Sequence, residues 1–469
     1  MVPLAEQFDL VIIGGGPGGY AAALYGASAG LRIAMVEKDK VGGTCLHRGC
    51  IPAKEFLETA AVHRHVSGAK EFGINVDQPT IDFGVSQARK QKIVDGLWKG
   101  LTGLVKSRKI TTYEGTGSLG PDHVVTVRGS DGSTQQLQGT HVILAAGSVP
   151  RSIPGFDVDG RYVLTSDEVL MLDTLPRSVA VIGGGAIGCE FASMMADLGV
   201  QVTVLEALSK ILPGCDGDVA NVVVRSFQKR GMTIKTGVQV QGHQPGPDGT
   251  TVQLGDGSTV KVDQVIVSIG RRPYADLLDL HGTGVKVTDR GFVEVDEWCR
   301  TGEPGVYAIG DLIATPQLAH VGFAEAIMVV KDLLGEQPVP VDYGAVPWAI
   351  YCHPEVAFAG HSEESAKEAG YEVVVSKHQF RGNSRAQIIG ETEGLVKIIA
   401  ERRPDGTGGR ILGVHMVGPW ATEQLGQGYL AVNWEATAEE VAHFIQPHPT
   451  LSELFGESVL ALTGRSLHA

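Results

Sequence analysis

Two stretches of this chain repeat one another, and that repetition constrains the fold more than any other feature. In the first, residues 8–13 form a nearly unbroken apolar run, Gly14-Gly-Gly-Pro-Gly-Gly19 follows, and an Ala-rich segment over 20–29 reads as a helix. A second apolar run at 33–36 then delivers Glu37. The later copy has a strand pattern at 178–182, Gly183-Gly-Gly-Ala-Ile-Gly188, a helical segment over 189–198, and a strand at 202–205 delivering Glu206. Short continuous apolar runs suit strands of a parallel sheet covered on both faces. Each copy is therefore a βαβ unit, and Gly14 to Glu37 spans the same interval as Gly183 to Glu206. In such a unit Gly14, Gly16 and Gly19, or Gly183, Gly185 and Gly188, let a pyrophosphate approach the backbone at a helix N-terminus. The terminal carboxylate accepts hydrogen bonds from a ribose. One glycine turn is a weak signal, since structural βα turns share it. Its duplication predicts two dinucleotide-binding domains in one chain.

Further strands at 142–147 and 265–270 end in Gly147 and Gly270, and a third at 306–311 carries Asp311 at its carboxyl end. After about residue 346 the periodicity changes. Segments 371–375 and 394–400 read as antiparallel strands and 436–444 as a helix, which predicts a separate α+β domain. The 63 glycines among 469 residues fit a chain with many tight turns and close backbone approaches. A net charge of -14 argues against nucleic acid as a partner, because phosphate binding needs clustered Lys and Arg. No stretch approaches the ~18 unbroken apolar residues of a membrane span. The polar start runs straight into a strand without a signal-peptide pattern, so the simplest expected compartment is the cytoplasm.

Six cysteines are too few for a disulfide-stapled scaffold. Cys189, Cys215, Cys299 and Cys352 are scattered and expected to be buried small hydrophobes, and no metal-ligand spacing occurs. Cys45 and Cys50 differ. They lie in Gly42-Gly-Thr-Cys-Leu-His-Arg-Gly-Cys-Ile-Pro-Ala-Lys54, just after the first βαβ unit and at the start of a predicted helix. A helix start favours thiolate, and Pro52 is tolerated in a first turn. Lys54, four residues after Cys50, shares its helix face. Alone it reads more often as a solvated surface lysine, and two buried thiols near a helix start are the lesser reading of the cysteine pair. Two nucleotide sites and a dithiol together define an electron path. Nicotinamide moves hydride, thiols exchange by thiolate attack, and a flavin is the natural intermediary. Glu206 would repel a 2′-phosphate, and Ala207, Leu208 and Ser209 offer no arginine for one, which favours NAD over NADP.

The 14–19 and 42–54 motifs, Gly183 to Glu190, Gly305 to Asp311, Leu318-Ala319-His320 and His448-Pro-Thr-Leu-Ser-Glu453 occur in that order over essentially the whole chain. In this the sequence resembles the pyridine nucleotide–disulfide oxidoreductases, and most closely their members that oxidise dihydrolipoyl groups. The resemblance implies an α/β fold with an FAD-binding domain in two segments, 1–150 and 274–346, an NAD-binding domain at 151–273, and a C-terminal α+β dimerisation domain at 347–469. It implies that Cys50 is the flavin-proximal thiol and Cys45 the interchange thiol facing substrate. It further implies that Lys54 pairs with Glu190 near the flavin ring and that Asp311 holds the ribityl chain. The implied assembly is a homodimer in which His448, oriented by Glu453, completes the partner subunit's active site. The implied partners are lipoyl domains of 2-oxoacid dehydrogenase complexes or the H protein of glycine cleavage.

From the residues alone, Thr450-Leu-Ser-Glu453 also fits a capping box, and His448 a structural turn before Pro449. The sequence departs from the family pattern at His47, usually Asn, at Ala53, usually Ser, and at Ala146, usually Thr. Gln446-Pro447 stands where His-Ala is common. His47 and Arg48 lie between the thiols and could tune them. Two other readings stay open: an NADPH-dependent reductase of low-molecular-weight disulfides, disfavoured by Glu206, and a flavin-bound subunit whose main role is docking. A mercuric reductase is disfavoured further, because no cysteine follows Cys352 and that family's C-terminal thiol pair is absent.

Overall fold

The computed structural model describes residues 5–468, which divide into two compact units. The first contains the described residues up to Phe56 with Asp82–Arg151 and Gly270–Tyr343. The second contains Leu57–Ile81, Ser152–Ile269 and the described residues from Gly344 onward.

In the first unit the strand Glu6–Ile13 pairs in parallel with Ile33–Glu37, and that strand with Thr111–Glu114. On its other side lies Thr134–Leu144, a long strand with two kinds of neighbour. Its carboxyl end runs parallel to Val306–Ala308, while its amino end runs antiparallel to Val124–Arg128 and, through it, Thr116–Leu119. Leu10, Val11, Ile12, Val142, Ile143 and Leu144 are fully buried, so these strands need apolar residues at successive positions rather than in alternation. Against them pack the helices Pro17–Ser28 and Ala319–Leu333. Gly18, Ala22 and Gly26 are buried on the first helix, and their small size lets it lie close.

The turn between Glu6–Ile13 and Pro17–Ser28 admits only glycine at two positions. Gly14 has φ +110°, and a Cβ there would collide with the Ala145 carbonyl. A Cβ on Gly19 would strike the Gly14 carbonyl oxygen. In the second unit Gly183 has φ +105° over the Ser268 carbonyl, and Gly188 sits over the Gly183 oxygen. The sequence repeat thus extends to individual backbone contacts.

That second turn joins Ser178–Ile182 to the helix Ala186–Asp197 within a five-stranded parallel sheet. Its strand order is Thr233–Lys235, Gln201–Leu205, Ser178–Ile182, Gln264–Val267, Val163–Leu164. The unit also holds a three-stranded antiparallel sheet of Val240–Gly246, Gly249–Leu254 and Thr259–Val262. A five-stranded antiparallel sheet follows, in the order Trp348–Ile350, Glu355–Gly360, Gly408–Gly418, Leu395–Arg402, Val373–Gln379. Helices Ala421–Asn433 and Glu453–Leu462 share its core of Ile398, Val414, Met416, Phe455 and Val459.

Several elements differ from the sequence expectation: the strand placed at 142–147 runs from Thr134 to Leu144, and those placed at 265–270 and 306–311 end at Val267 and Ala308. The strand placed at 371–375 begins at Val373, because Gly370 (φ +88°) and the Tyr371 N–H, bonded to Ala366 O at 3.0 Å, close the preceding helix. The helix placed at 436–444 is the shorter Ala438–Ala442, started by a Thr437/Glu440 capping box. Among the described residues no helix is long and apolar enough to cross a membrane.

Candidate active site

The first glycine turn is the foundation of the site. Gly16 caps the Pro17–Ser28 helix without any side-chain hydrogen bond, so the N–H groups of its first turn lack the usual side-chain acceptor. Glu37 faces this turn: Oε2 accepts the Gly15 N–H at 2.7 Å and Oε1 the Asp39 N–H at 2.9 Å. Each oxygen keeps a lone pair for a ribose hydroxyl. Burial pushes the Glu37 carboxyl up, opposed by hydrogen bonds from the Gly15 and Lys38 N–H groups and by the Lys38 and Arg48 charges.

The thiol loop is fastened to the same turn. The Gly42 N–H bonds to Gly15 O at 2.8 Å, and Gly43 lies against Gly16 so closely that a Cβ would come within 2.6 Å of its Cα. Gly42 (φ +112°) and Gly43 (φ +57°) make the bend that this requires. Cys45 then lies in the short helix Gly43–Arg48, and Gly49, neither helical nor extended, separates it from Cys50 at the head of the helix Cys50–Ser67. That break brings the two thiols into hydrogen-bond contact. Neither is joined in a disulfide. The contact with Cys50, then burial, push the Cys45 thiol well up, and the Lys54 ammonium opposes the shift.

Tyr20 was not foreseen from the sequence. Burial and then the charges of Cys45 and Cys50 push its phenol up to about 12, and its ring tilts against Phe323 with centroids 5.7 Å apart. The signal available was its place directly after Gly19, on the helix to which the thiol loop is tied. His47 and Arg48 are engaged locally: His47 Nε2 lies 3.0 Å from Val41 O with its ring edge-on to Trp98, and Arg48 pairs with Asp39.

Asp311 follows Gly310 at the end of Val306–Ala308. It accepts the Ser148 hydroxyl, which in turn accepts Arg271 Nε at 2.7 Å. The strands Ser148–Pro150 and Arg271–Pro273 pair antiparallel just past Gly147 (φ +71°) and Gly270 (φ +100°). The Gly147 carbonyl accepts from Tyr274 and the Gly270 carbonyl from Arg151. Ala319 opens its helix under Leu318, again without a side-chain cap, and Gly322 packs on Gly18 and Gly310. Two uncapped helix starts, a carboxylate at a strand end and Asp311 thus converge. This donor and acceptor set fits a dinucleotide such as FAD.

In the second unit Gly185 caps its helix without a side chain. Glu206 repeats the behaviour of Glu37, accepting the Gly184 N–H at 2.6 Å and the Leu208 N–H at 2.7 Å. A second dinucleotide fits here, and the carboxylate disfavours a 2′-phosphate. Glu190 is buried on the following helix, and its Oε1 accepts the Tyr351 N–H at 2.9 Å. His448 is exposed (72%), with Nδ1 2.8 Å from Glu453 Oε1. Glu453 Oε2 accepts the Thr450 N–H at 2.7 Å, but the helix begins at Glu453 itself, and the Thr450 hydroxyl turns to Pro447 O at 2.7 Å. Only half of the expected capping box forms, so Glu453 orients His448 with one oxygen and holds the loop with the other. Cys189, Cys215, Cys299 and Cys352 are buried, as expected. Among the described residues no group of three His, Cys, Asp or Glu side chains could hold a metal ion.

Paired dinucleotide turns with a dithiol fastened to one of them define a class, and comparison with known families gives the same class. The pyridine nucleotide-disulphide oxidoreductase model matches residues 8–326, and the dimerisation domain of that family matches 346–459. The chain belongs to this family of oxidoreductases, which use FAD and NAD, and it carries their dimerisation domain. It is 42% identical to a dihydrolipoyl dehydrogenase of Bacillus subtilis, covering 99% of this chain and 100% of that one. It is 37% identical to the mitochondrial dihydrolipoyl dehydrogenase of Pisum sativum, covering 99% and 93%. Among solved structures, LpdA of Mycobacterium tuberculosis superposes with a TM-score of 0.90 at 27% identity, covering 98% and 100%.

Proposed function

We propose that this protein is a dihydrolipoyl dehydrogenase, oxidising protein-bound dihydrolipoyl groups and reducing NAD+. The observation that carries the reading is the contact of Cys45 with Cys50 beside the first dinucleotide turn. In this reading residues 1–150 and 274–346 form the FAD domain, 151–273 the NAD domain and 347–469 the dimer interface. Lys54 and Glu190 serve the flavin ring, and Asp311 its ribityl chain. FAD, when bound, supplies two-electron transfer between the thiol pair and nicotinamide.

The chain's own residues act as follows. In the oxidised pair Cys45 and Cys50 are joined. His448 Nε2, supplied to this thiol pair by the second copy of the chain, takes the proton of one dihydrolipoyl thiol while Glu453 holds Nδ1 and stabilises the imidazolium. The substrate thiolate attacks Cys45 Sγ, the Cys45–Cys50 bond breaks, and Cys50 leaves as thiolate. The second substrate thiol, deprotonated in turn, attacks the mixed disulfide and releases Cys45, which takes up a proton. The substrate leaves as cyclic lipoyl disulfide, two electrons poorer, and the enzyme pair is reduced. The partners are a second copy of the chain and lipoyl domains of 2-oxoacid dehydrogenase complexes or of glycine cleavage.

Anaerobic titration of the purified protein with dihydrolipoamide tests the reading. One equivalent should bleach part of the flavin absorption and raise a new long-wavelength band, and NAD+ should then yield NADH. A colourless protein would refute both flavin readings, whereas faster turnover with NADPH and a low-molecular-weight disulfide would favour the reductase alternative. His448→Gln should lower lipoamide-dependent turnover by ~10²–10⁴-fold, the usual contribution of a general base, with FAD content unchanged. An undiminished rate in that variant removes His448 from the mechanism.

A further inference from the structure

We propose that Glu325 is the positioning residue that fixes Asp311 for the flavin, a role that rests on the reading that Asp311 holds the ribityl chain. Glu325 lies on the helix Ala319–Leu333 and is fully buried, at 0% exposure. Its hydrogen-bond donors carry no positive charge. Oε2 accepts the Gly310 N–H at 2.6 Å, and Oε1 accepts the hydroxyls of Thr315 at 2.8 Å and Tyr343 at 3.0 Å. A buried carboxyl satisfied only by neutral donors is costly compared with an apolar side chain. Burial pushes it up to about 7, and the nearby charge of Asp311 adds to the shift. Core stability alone does not account for such a residue.

Its contacts identify the task. Gly310, at φ +68°, stands immediately before Asp311, and Thr315 stands four residues after it. The turn between them closes through Ile313 N–H to Gly310 O at 3.1 Å and Thr315 N–H to Ile313 O at 2.9 Å. One carboxyl therefore grips both ends of the turn that carries Asp311. One helical turn earlier, Gly322 rests on Gly18 and Gly310, so the same helix also abuts the first glycine turn. Glu325 acts through Asp311, whose own side chain bonds to Ser148.

The donor types supply a discriminating pair of variants. The Gly310 N–H can only donate, whereas the Thr315 and Tyr343 hydroxyls can donate or accept. Glu325→Gln keeps an oxygen for Gly310 and turns its amide toward the two hydroxyls, whereas Glu325→Ala leaves the turn ungripped. Thr315→Val removes one hydroxyl only. The measurement is FAD affinity of the full-length protein by reconstitution, read by flavin fluorescence, with the absorption maximum of bound FAD as a second readout that a general loss of stability does not move. Glu325→Ala should weaken FAD by about tenfold or more and shift the maximum toward free FAD, Thr315→Val should do so less, and Glu325→Gln should stay within about threefold of the parent. Unchanged affinity in Glu325→Ala overturns the proposal, as does a folded Glu325→Gln that is as defective as the alanine variant. If Glu325→Ala does not fold, Thr315→Val decides, and parental affinity there overturns it. A parent protein that binds no FAD refutes the cofactor reading instead.

Discussion

Cys45→Ser is expected to abolish dihydrolipoamide-dependent NAD+ reduction while leaving FAD bound at parental stoichiometry. The substrate thiolate needs a disulfide sulfur to attack, and a serine at position 45 leaves Cys50 with no partner to form one. None of the groups that fit the first dinucleotide involves the Cys45 side chain: the uncapped N–H groups above Gly16, the Glu37 carboxylate and the Asp311 turn all form without it. The loop should persist too, since Gly42 and Gly43 anchor it through the backbone and through contact with Gly16. Serine is close in volume to cysteine, so the fold has little reason to shift. The loss should be complete to background, and NADH oxidation by an artificial one-electron acceptor, which bypasses thiol exchange, should continue. Because the contact with Cys50 is the main cause of the upward shift at Cys45, Cys50→Ser should bring the Cys45 thiol down and make it alkylate faster at neutral pH. Parental turnover in Cys45→Ser, or FAD loss equal to the loss of turnover, would refute a thiol relay at this position.

Local pattern made the scaffold legible. Continuous apolar runs at Glu6–Ile13 and Ser178–Ile182 are what strands covered on both faces must have, and the glycines at 14, 19, 183 and 188 are demanded by backbone collisions that no other residue avoids. The equal spacing of Glu37 and Glu206 from their turns was visible as well. Its use to bond back to Gly15 and Gly184 was not, because that partner is set by how the turn closes and not by periodicity. Tyr20 passed for an ordinary helical aromatic, since its nearness to the thiols depends on a loop from another segment. Glu325 was missed for a related reason: an acid within an apolar helix reads as a solvent-facing residue until Gly310, Thr315 and Tyr343 converge on it. The half-formed box at Thr450 and Glu453 shows the reverse case, a correct local pattern partly redirected by the neighbouring His448.

Lys397 presents the largest stability effect, and it too was hidden inside a strand pattern. It is 2% exposed within Leu395–Arg402, and its ammonium lies 2.9 Å from Asp216, 2.8 Å from Asp218 and 2.8 Å from Glu363. Three protons thus meet three carboxylates from two other elements. Asp216 also caps the helix Gly217–Lys229, taking the Asp218 N–H at 2.9 Å, and bonds the Glu363 N–H at 3.2 Å. Burial alone would lower the lysine, but its three carboxylate partners together raise it. Lys397→Met keeps the stem and removes the charge, leaving Asp216 buried and facing two further acids. The expected cost is ~3–5 kcal/mol, the usual penalty for stranding one partner of a buried pair. Most of it rests on Asp216, because Asp218 and Glu363 are about one-third exposed and screened by solvent. The pH dependence has a definite sign. Asp218 and Glu363 are held below their usual range, Asp218 chiefly by Lys397 and Glu363 by Lys367 and then Lys397. Their contribution is present above the unfolded carboxylate range of about 4 and is lost as pH falls through the lower folded values. Urea midpoints at fixed protein concentration and saturating FAD should therefore differ widely between parent and Lys397→Met at pH 7.5 and converge only as pH falls below about 4. Adding Asp216→Asn to Lys397→Met should recover part of the loss, since it removes the stranded charge. Equal midpoints at pH 7.5 would mean that the cluster relaxes into solvent and does not clamp the fold.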